Sequence, residues 1–388
     1  MSYFQQLPLE LTEAILDYLR PGSLRATIRT AKFLRFPGEK RLYSRVILPI
    51  NPAMEDLGDI QSLFLSTVAN SDRLAQHVVR LVLGEIAPLE EGKANINCII
   101  GQAMKMMINL KELDIFGFPY IGHAQLDSVP FSLTHLVMSG EKTNNEATTV
   151  PDLISILRTH PDLEELALDC TKPLPDLVAA LKTEQQGLVP KTGILCPRLK
   201  RFDGYDDGLR LFLPLRNIES GTSLGSGAEY VANDGLADLW LTPVLKPSYQ
   251  YLRVLEVWLD RQWLDTCFLP TVAPYLTSLR DLQLVDYTFG VPPQDYLQPL
   301  LGCIPALDSL TLSIMATGTT ETIMTDAQNV VPLVRSVCPT VGEIYVGREG
   351  IADEVVYCRY TKRGGFHSGL VSQEVACRPY ARWLIEEQ

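Results

Sequence analysis

Histidine is scarce in this 388-residue sequence: the five, at positions 77, 123, 135, 160 and 367, show no i, i+4 spacing that would put two imidazoles on one helix face around a metal. The eight cysteines, at 98, 170, 196, 267, 303, 338, 358 and 377, form no C-x-x-C pair, which excludes zinc ribbons and dithiol redox motifs. They read as reduced core thiols. No run of 18 uncharged apolar residues occurs, and Met1-Ser2-Tyr3-Phe4-Gln5-Gln6 does not open as a basic-then-apolar leader. Together with the lack of an Asn-x-Ser/Thr acceptor, these absences predict a chain of the cytosol or nucleus that neither spans nor binds a membrane. The phosphate-binding patterns G-x-x-x-x-G-K-[ST] and G-x-G-x-x-G are missing, as is H-E-x-x-H, so no cofactor is expected. Basic charge is also short. With 34 Lys and Arg against 46 Asp and Glu, the net charge of −12 disfavours a nucleic-acid scaffold and favours basic protein segments as partners.

What is present is globular: 46% hydrophobic and 21% charged residues, with length enough for two or three domains or one extended array. Leu7-Pro8-Leu9-Glu10-Leu11 opens a helix, with Pro8 where a missing N–H is tolerated and Glu10 near the positive dipole end. Leu11, Ile15 and Leu19 make one stripe and Leu9 with Leu16 a neighbouring one, so the helix is apolar on more than one side. Pro21-Gly22 is expected to end it, Ser23 to cap a second helix through Leu24 and Ile28, and Pro37-Gly38 to break that one before a strand at Val46-Ile47-Leu48. A head of about 48 residues buries little surface alone. Periodicity leaves two readings open: the extra stripe awaits another polypeptide, or it packs on the chain that follows.

The run Leu7 to Leu11, Ile15-Leu16-Asp17-Tyr18-Leu19, Leu24 and Leu42-Tyr43-Ser44-Arg45-Val46 resembles an F-box of the degenerate type common in fungal proteins. The resemblance covers residues 7 to 48 and departs from the family at Lys32-Phe33-Leu34-Arg35, where a Cys or Trp is common. It implies docking onto a Skp-type adaptor, and through it onto the cullin and RING subunits of an SCF-type ubiquitin ligase. Leu7, Pro8, Leu9, Leu11, Ile15, Leu16, Leu19 and Leu24 would then supply the adaptor contacts or the core beneath them.

Behind the head, Leu-x-x-Leu-x-Leu with tolerated substitutions returns about nine times, beginning at Val78, Leu110, Leu133, Leu163, Leu199, Leu252, Leu279, Leu307 and Val341. Alternation inside each copy predicts a strand. Helical spacing precedes several copies, as in Asp152 to Arg158 and Ala327 to Val337, and a proline at 161, 197, 305 or 339 then stops the helix. Such units cannot bury both faces alone and must stack. The pattern resembles the long, irregular leucine-rich repeats that follow F-boxes. The expected fold is therefore α/β: a helical F-box at 1–48, an irregular leucine-rich-repeat solenoid over 49–350 with parallel strands on the concave side and helices on the convex side, and a terminal cap over 351–388.

A Gly- and Ser-rich stretch near 217–230 reads as a flexible insertion in one overlong repeat. It contains Gly221-Thr222-Ser223-Leu224-Gly225, a match to G-x-S-x-G, but without the strand before and helix after that a nucleophile elbow needs. Ser223 reads as a linker serine, and no catalysis is expected. Residues flanking the central leucines should alternate onto the exposed concave face. The substrate-facing set is Glu112, Asp114, Phe116, Glu165, Asp169, Asp203, Tyr205, Glu256, Trp258, Asp281, Glu343 and Tyr345, joined by Arg80, His135, Arg201 and Gln283. Carboxylates dominate it, which leaves two readings open: a solvated acidic sheet face, or a face that attracts a protein substrate with a basic segment.

Overall fold

The computed structural model describes residues 7–48, 57–84, 93–116, 129–139, 153–169, 175–187, 194–205, 209, 211–224, 243, 245–259, 272–286, 294–317, 319–349 and 354–372. The chain divides into two compact units, one of Met1–Leu177 with Pro190–Arg198 and one of Val178–Val189 with Leu199–Gln388. This division falls inside the array.

The first unit opens with helices α1 (Leu9–Asp17), α2 (Pro21–Thr30) and α3 (Lys32–Ser44), and α3 runs directly into strand β1 (Arg45–Ile47). Pro21 starts α2 rather than ending α1, because its fixed φ and missing N–H suit the first helical position. Pro37 likewise does not break α3. A proline inside a helix costs about 3 kcal/mol, and burial of Pro37 and Gly38 works against that cost. A Cβ at Gly38 would overlap Ile28 Cγ2, so glycine lets α2 and α3 approach closely. Helix α3 is the keystone: Lys40 and Arg41 pair with Glu13 and Asp17 of α1, both at 2.9 Å, while buried Glu39 pairs with Arg35 and with Arg73. Phe36 meets His77 edge-on, and Tyr43 stacks on Phe64.

Five parallel strands follow one another in this unit: β1, β2 (Arg80–Leu83), β3 (Glu112–Phe116), β4 (His135–Ser139) and β5 (Glu165–Asp169). Between them lie α4 (Leu57–Ala69), α5 (Asp72–Ala75), α6 (Lys93–Met106) and α7 (Leu153–Thr159). Helix α8 (Pro175–Gln185) leads toward the second unit, where β6 (Arg201–Tyr205), β7 (Ser220–Leu224), β8 (Val254–Leu259), β9 (Asp281–Asp286), β10 (Ser309–Thr317) and β11 (Glu343–Glu349) are parallel in chain order. The short helix α9 (Lys246–Tyr249) precedes β8, α10 (Gln294–Gly302) precedes β10, and α11 (Thr320–Val337) precedes β11. Strands β12 (Glu354–Thr361) and β13 (Gly365–Ser372) add to β11 as an antiparallel hairpin. Its turn residue Gly365 sits at φ +75°, a conformation glycine adopts without strain.

One backbone device recurs. The carbonyl just before a strand accepts both leading N–H groups of the next unit: Lys111 O takes Thr134 N and His135 N at 2.9 and 3.1 Å, and Arg280 O takes Asp308 N and Ser309 N at 2.8 and 3.0 Å. Val79, Thr134, Lys200, Glu219, Arg253 and Asp308 do the same. This fixes each strand in register with its predecessor, so equivalent residues stack in rows. The first apolar residue of all nine repeats, Val78 through Val341, is at most 1% exposed. The central leucines Leu113, Leu136, Leu166, Leu255, Leu282 and Leu310 are at most 2% exposed. Two of the residues before repeat prolines also tie back to the preceding unit: Cys338 Sγ donates to Ile304 O at 3.8 Å, and His160 Nδ1 accepts from Leu133 N at 3.3 Å.

Strand β7 corrects the expected flexible insertion over 217–224; residues 225–230 lie outside the described set. The repeat there is real but disguised. Gly221 pairs with Phe202 and Leu255 at the position of a central leucine, and a Cβ added to it would stand 2.7 Å from Leu209 Cδ1. Leu209, from the preceding connection, fills the volume that a leucine on β7 would have occupied. Ser223 is mid-strand, paired between Gly204 and Val257, and has none of the turn geometry of a nucleophile elbow.

Candidate functional site

Two surfaces hold the residues the sequence singles out. On the head, Pro8 is the N-cap of α1 and Glu10 lies in its first turn. At about 100° per residue, Thr12 and Leu16 share one face, while Leu11, Ile15 and Tyr18 share another. The first face is the inner one: Thr12 and Leu16 are buried, as is Leu24 of α2. The second is bare: Leu11 is 52% exposed, Ile15 38% and Tyr18 91%. The proposed contact residues therefore split. Leu16 and Leu24 are core, Leu7 and Leu19 are half-buried, Pro8, Leu11 and Ile15 face outward, and the Leu9 side chain lies outside the described residues. Tyr18 belongs with the outward group, and its spacing of seven from Leu11 is the sequence signal for it.

In the first unit the register sets Arg80, Glu112, His135 and Glu165 side by side in one row. Arg80 reaches Glu112 at 3.4 Å and Asp114 at 2.9 Å. His135 joins Asp114 through Nε2 at 2.9 Å and Glu165 through Nδ1 at 3.0 Å. Burial works against charge on His135, but the hydrogen bonds to Asp114 and Glu165 outweigh it and push its pKa up to about 9. Burial likewise works to raise Asp114, yet its bonds to His135 and Arg80 hold it below the usual carboxylate range. The result is a five-residue ion ladder with His135 as its central cation.

The second unit repeats the device. Arg201 Nε donates to Asp203 at 2.8 Å, and Thr222 donates to the same carboxylate at 2.7 Å. Farther along, Arg359 pairs with Glu343 at 3.0 Å, lies over the Tyr345 ring, and shares Glu343 with the Tyr345 hydroxyl. The expectation of an open, acidic face is corrected accordingly. Asp114, Glu256 and Tyr345 are only 5%, 4% and 6% exposed. Rows of side chains about 4.8 Å apart cover one another and neutralise their neighbours. Glu112, Phe116, Glu165, Asp203, Asp281 and Glu343 are half-buried, while Asp169, Tyr205 and Trp258 lie on strands with side chains outside the described residues. Sequence reasoning placed the residues on the right strands but could not see the cross-strand pairing, which depends on register.

Among the described residues no group of three or more His, Cys, Asp or Glu is placed to hold a metal ion, and no helix is long and apolar enough to cross a membrane. No protein-family model matches the sequence, and no curated protein matches it. Among solved structures, the leucine-rich repeat-containing protein LegL7 from Legionella pneumophila overlays with a TM-score of 0.47 at 13% identity, over 79% of this chain and 91% of that one. A protein from Bacteroides fragilis overlays with a TM-score of 0.35 at 14% identity, over 68% of this chain and 66% of that one.

Proposed function

We propose that the chain is an interaction protein of the leucine-rich-repeat type, and that it serves as the substrate receptor of an SCF-type ubiquitin ligase. The head binds a Skp-type adaptor, which brings cullin and RING subunits, and the repeats hold the protein to be modified. Ubiquitin transfer belongs to other subunits, so the reading assigns no catalytic step to this chain, and it places the protein in the cytoplasm or nucleus. For a chain of net charge −12, a substrate with a basic segment is the electrostatic expectation.

The observation that carries the reading is the bare stripe on α1. Burying one large apolar side chain is worth about 1.5–3 kcal/mol, yet Leu11, Ile15 and Tyr18 forgo it while Leu16 on the same helix is 2% exposed. An amphipathic helix with an apolar face on each side fits a protein that keeps one face for its own core and offers the other to a partner. The F-box resemblance covers these same residues.

Co-purification of the full chain with a Skp-type adaptor tests this. Leu11→Asp combined with Ile15→Asp should abolish it while far-ultraviolet circular dichroism and melting stay unchanged. Retention of the adaptor by the double variant would refute the placement. Failure of the unmodified chain to retain it would leave a repeat scaffold with no ligase connection.

A further inference from the structure

The charge of this chain is not evenly spread. Residues 20 to 45 hold eight Lys and Arg and one carboxylate, against 26 and 45 in the remainder. Three of those eight are occupied, Arg35 by Glu39, Lys40 by Glu13 and Arg41 by Asp17. Arg20, Arg25, Arg29 and Lys32 are exposed, and among the described residues none of them meets a carboxylate. Arg25 and Arg29 stand four apart on α2, on the same side of the helix.

Two of the four, Arg20 and Lys32, are placed unfavourably for the isolated head. Arg20 is the N-cap of α2 and Lys32 the first residue of α3, so both cations sit at the positive end of a helix dipole. Neither helix has an acidic residue in its first turn or a side-chain cap. Sequences ordinarily put Asp or Glu there. Local rules broken together, with no compensating bond among the described residues, mark a surface shaped for something outside it.

We propose that the exposed basic surface of α2 and the start of α3, centred on Arg25, Arg29 and Lys32, is a docking site for an acidic segment of a partner protein. The site is distinct from the apolar stripe of α1 and does not depend on the adaptor reading. Charge complementarity selects an anionic ligand, and the charge of the whole chain selects its size. A long nucleic acid or an anionic membrane would extend over the strongly acidic remainder and be repelled, whereas a short segment feels mainly charges within a screening length of about 8–10 Å. Phe33 and Phe36, 38% and 58% exposed beside the cations, add apolar contact that a peptide can use and a phosphate backbone cannot.

The test measures fluorescence anisotropy of a labelled glutamate-rich peptide with leucines at helical spacing, titrated with the full chain. The expected result is saturable binding that weakens at least tenfold in Arg25→Glu/Arg29→Glu/Lys32→Glu and is lost when the peptide's glutamates are glutamines. Melting of the variant should stay close to that of the parent, since Lys32→Glu places an anion at a helix N-terminus while Arg29→Glu replaces a cation in the last turn of α2; the neutral Gln triple variant, expected to lose less affinity, provides the reading should the Glu variant fail to fold. Unchanged affinity in the folded variants would overturn the proposal. So would tighter binding of duplex DNA or phosphatidylserine vesicles through the same three residues, or peptide-independent self-association that the triple variant abolishes. Loss of adaptor binding through Leu11→Asp and Ile15→Asp leaves this surface intact, so the two proposals fail separately.

Discussion

The head and the repeats spend their leucines in opposite ways. In the repeats, all nine leading apolar positions are at most 1% exposed, whereas α1 leaves Leu11 and Tyr18 more than half bare. In the repeats the leucine pattern is the fold itself: remove it and the units have nothing to stack through. On the head Leu16, Leu24, Leu34 and Leu48 do that work, whereas Leu11, Ile15 and Tyr18 are left exposed. Repetition in a sequence therefore reveals architecture, while apolar residues beyond what the core takes up reveal where a partner is expected.

The largest effect that would sharpen this contrast is Leu282→Ala in the second unit, a cavity beneath a residue with 0% exposure. It should cost about 2–5 kcal/mol by denaturant unfolding; a cost as small as that of Leu11→Ala would erase the distinction. Next comes Gly221→Leu, which restores the repeat pattern on paper but forces a side chain onto Leu209. Overpacking should cost about 1–3 kcal/mol, and Leu209→Ala in the same chain should recover part of it. No recovery would mean that Leu209 is not the residue filling that position.

His135→Gln removes the cation between Asp114 and Glu165 and should destabilise by about 1–3 kcal/mol near neutral pH. The sign follows from its raised pKa. A histidine at about 9 when folded and near 6.5 unfolded contributes stability that is complete below 6.5 and lost as pH rises through 9. The gap between the parent and His135→Gln should therefore narrow from pH 6.5 to 9. A gap that stayed level over that range would place His135 as neutral in the folded chain. Smallest of all is Leu11→Asp with Ile15→Asp, expected to change stability by less than about 0.5 kcal/mol per site because surface substitutions usually do.

Much of the repeat fold was legible because a strand writes its buried face into the sequence at every second residue, and a proline before it punctuates the turn. Strand β7 was hidden because Gly221 has no side chain to read and its space is filled by Leu209, twelve residues away in sequence. Pro21 and Pro37 read as helix ends because local rules treat proline as a breaker, while the first sits at a tolerated position and the second is buried in the head. Of the candidate surfaces, the apolar stripe showed in the spacing of Leu11 and Ile15. The ion ladder did not, since Arg80, Asp114, His135 and Glu165 meet only through strand register.

Hydrogen–deuterium exchange on the full chain, with and without a purified Skp-type adaptor, tests most directly that α1 is the surface held ready for another protein. The account predicts slowed exchange over Leu9–Asp17 and at Tyr18, with the repeat strands β3 to β5 unchanged. Protection confined to the repeats, or none anywhere at saturating adaptor, would contradict it.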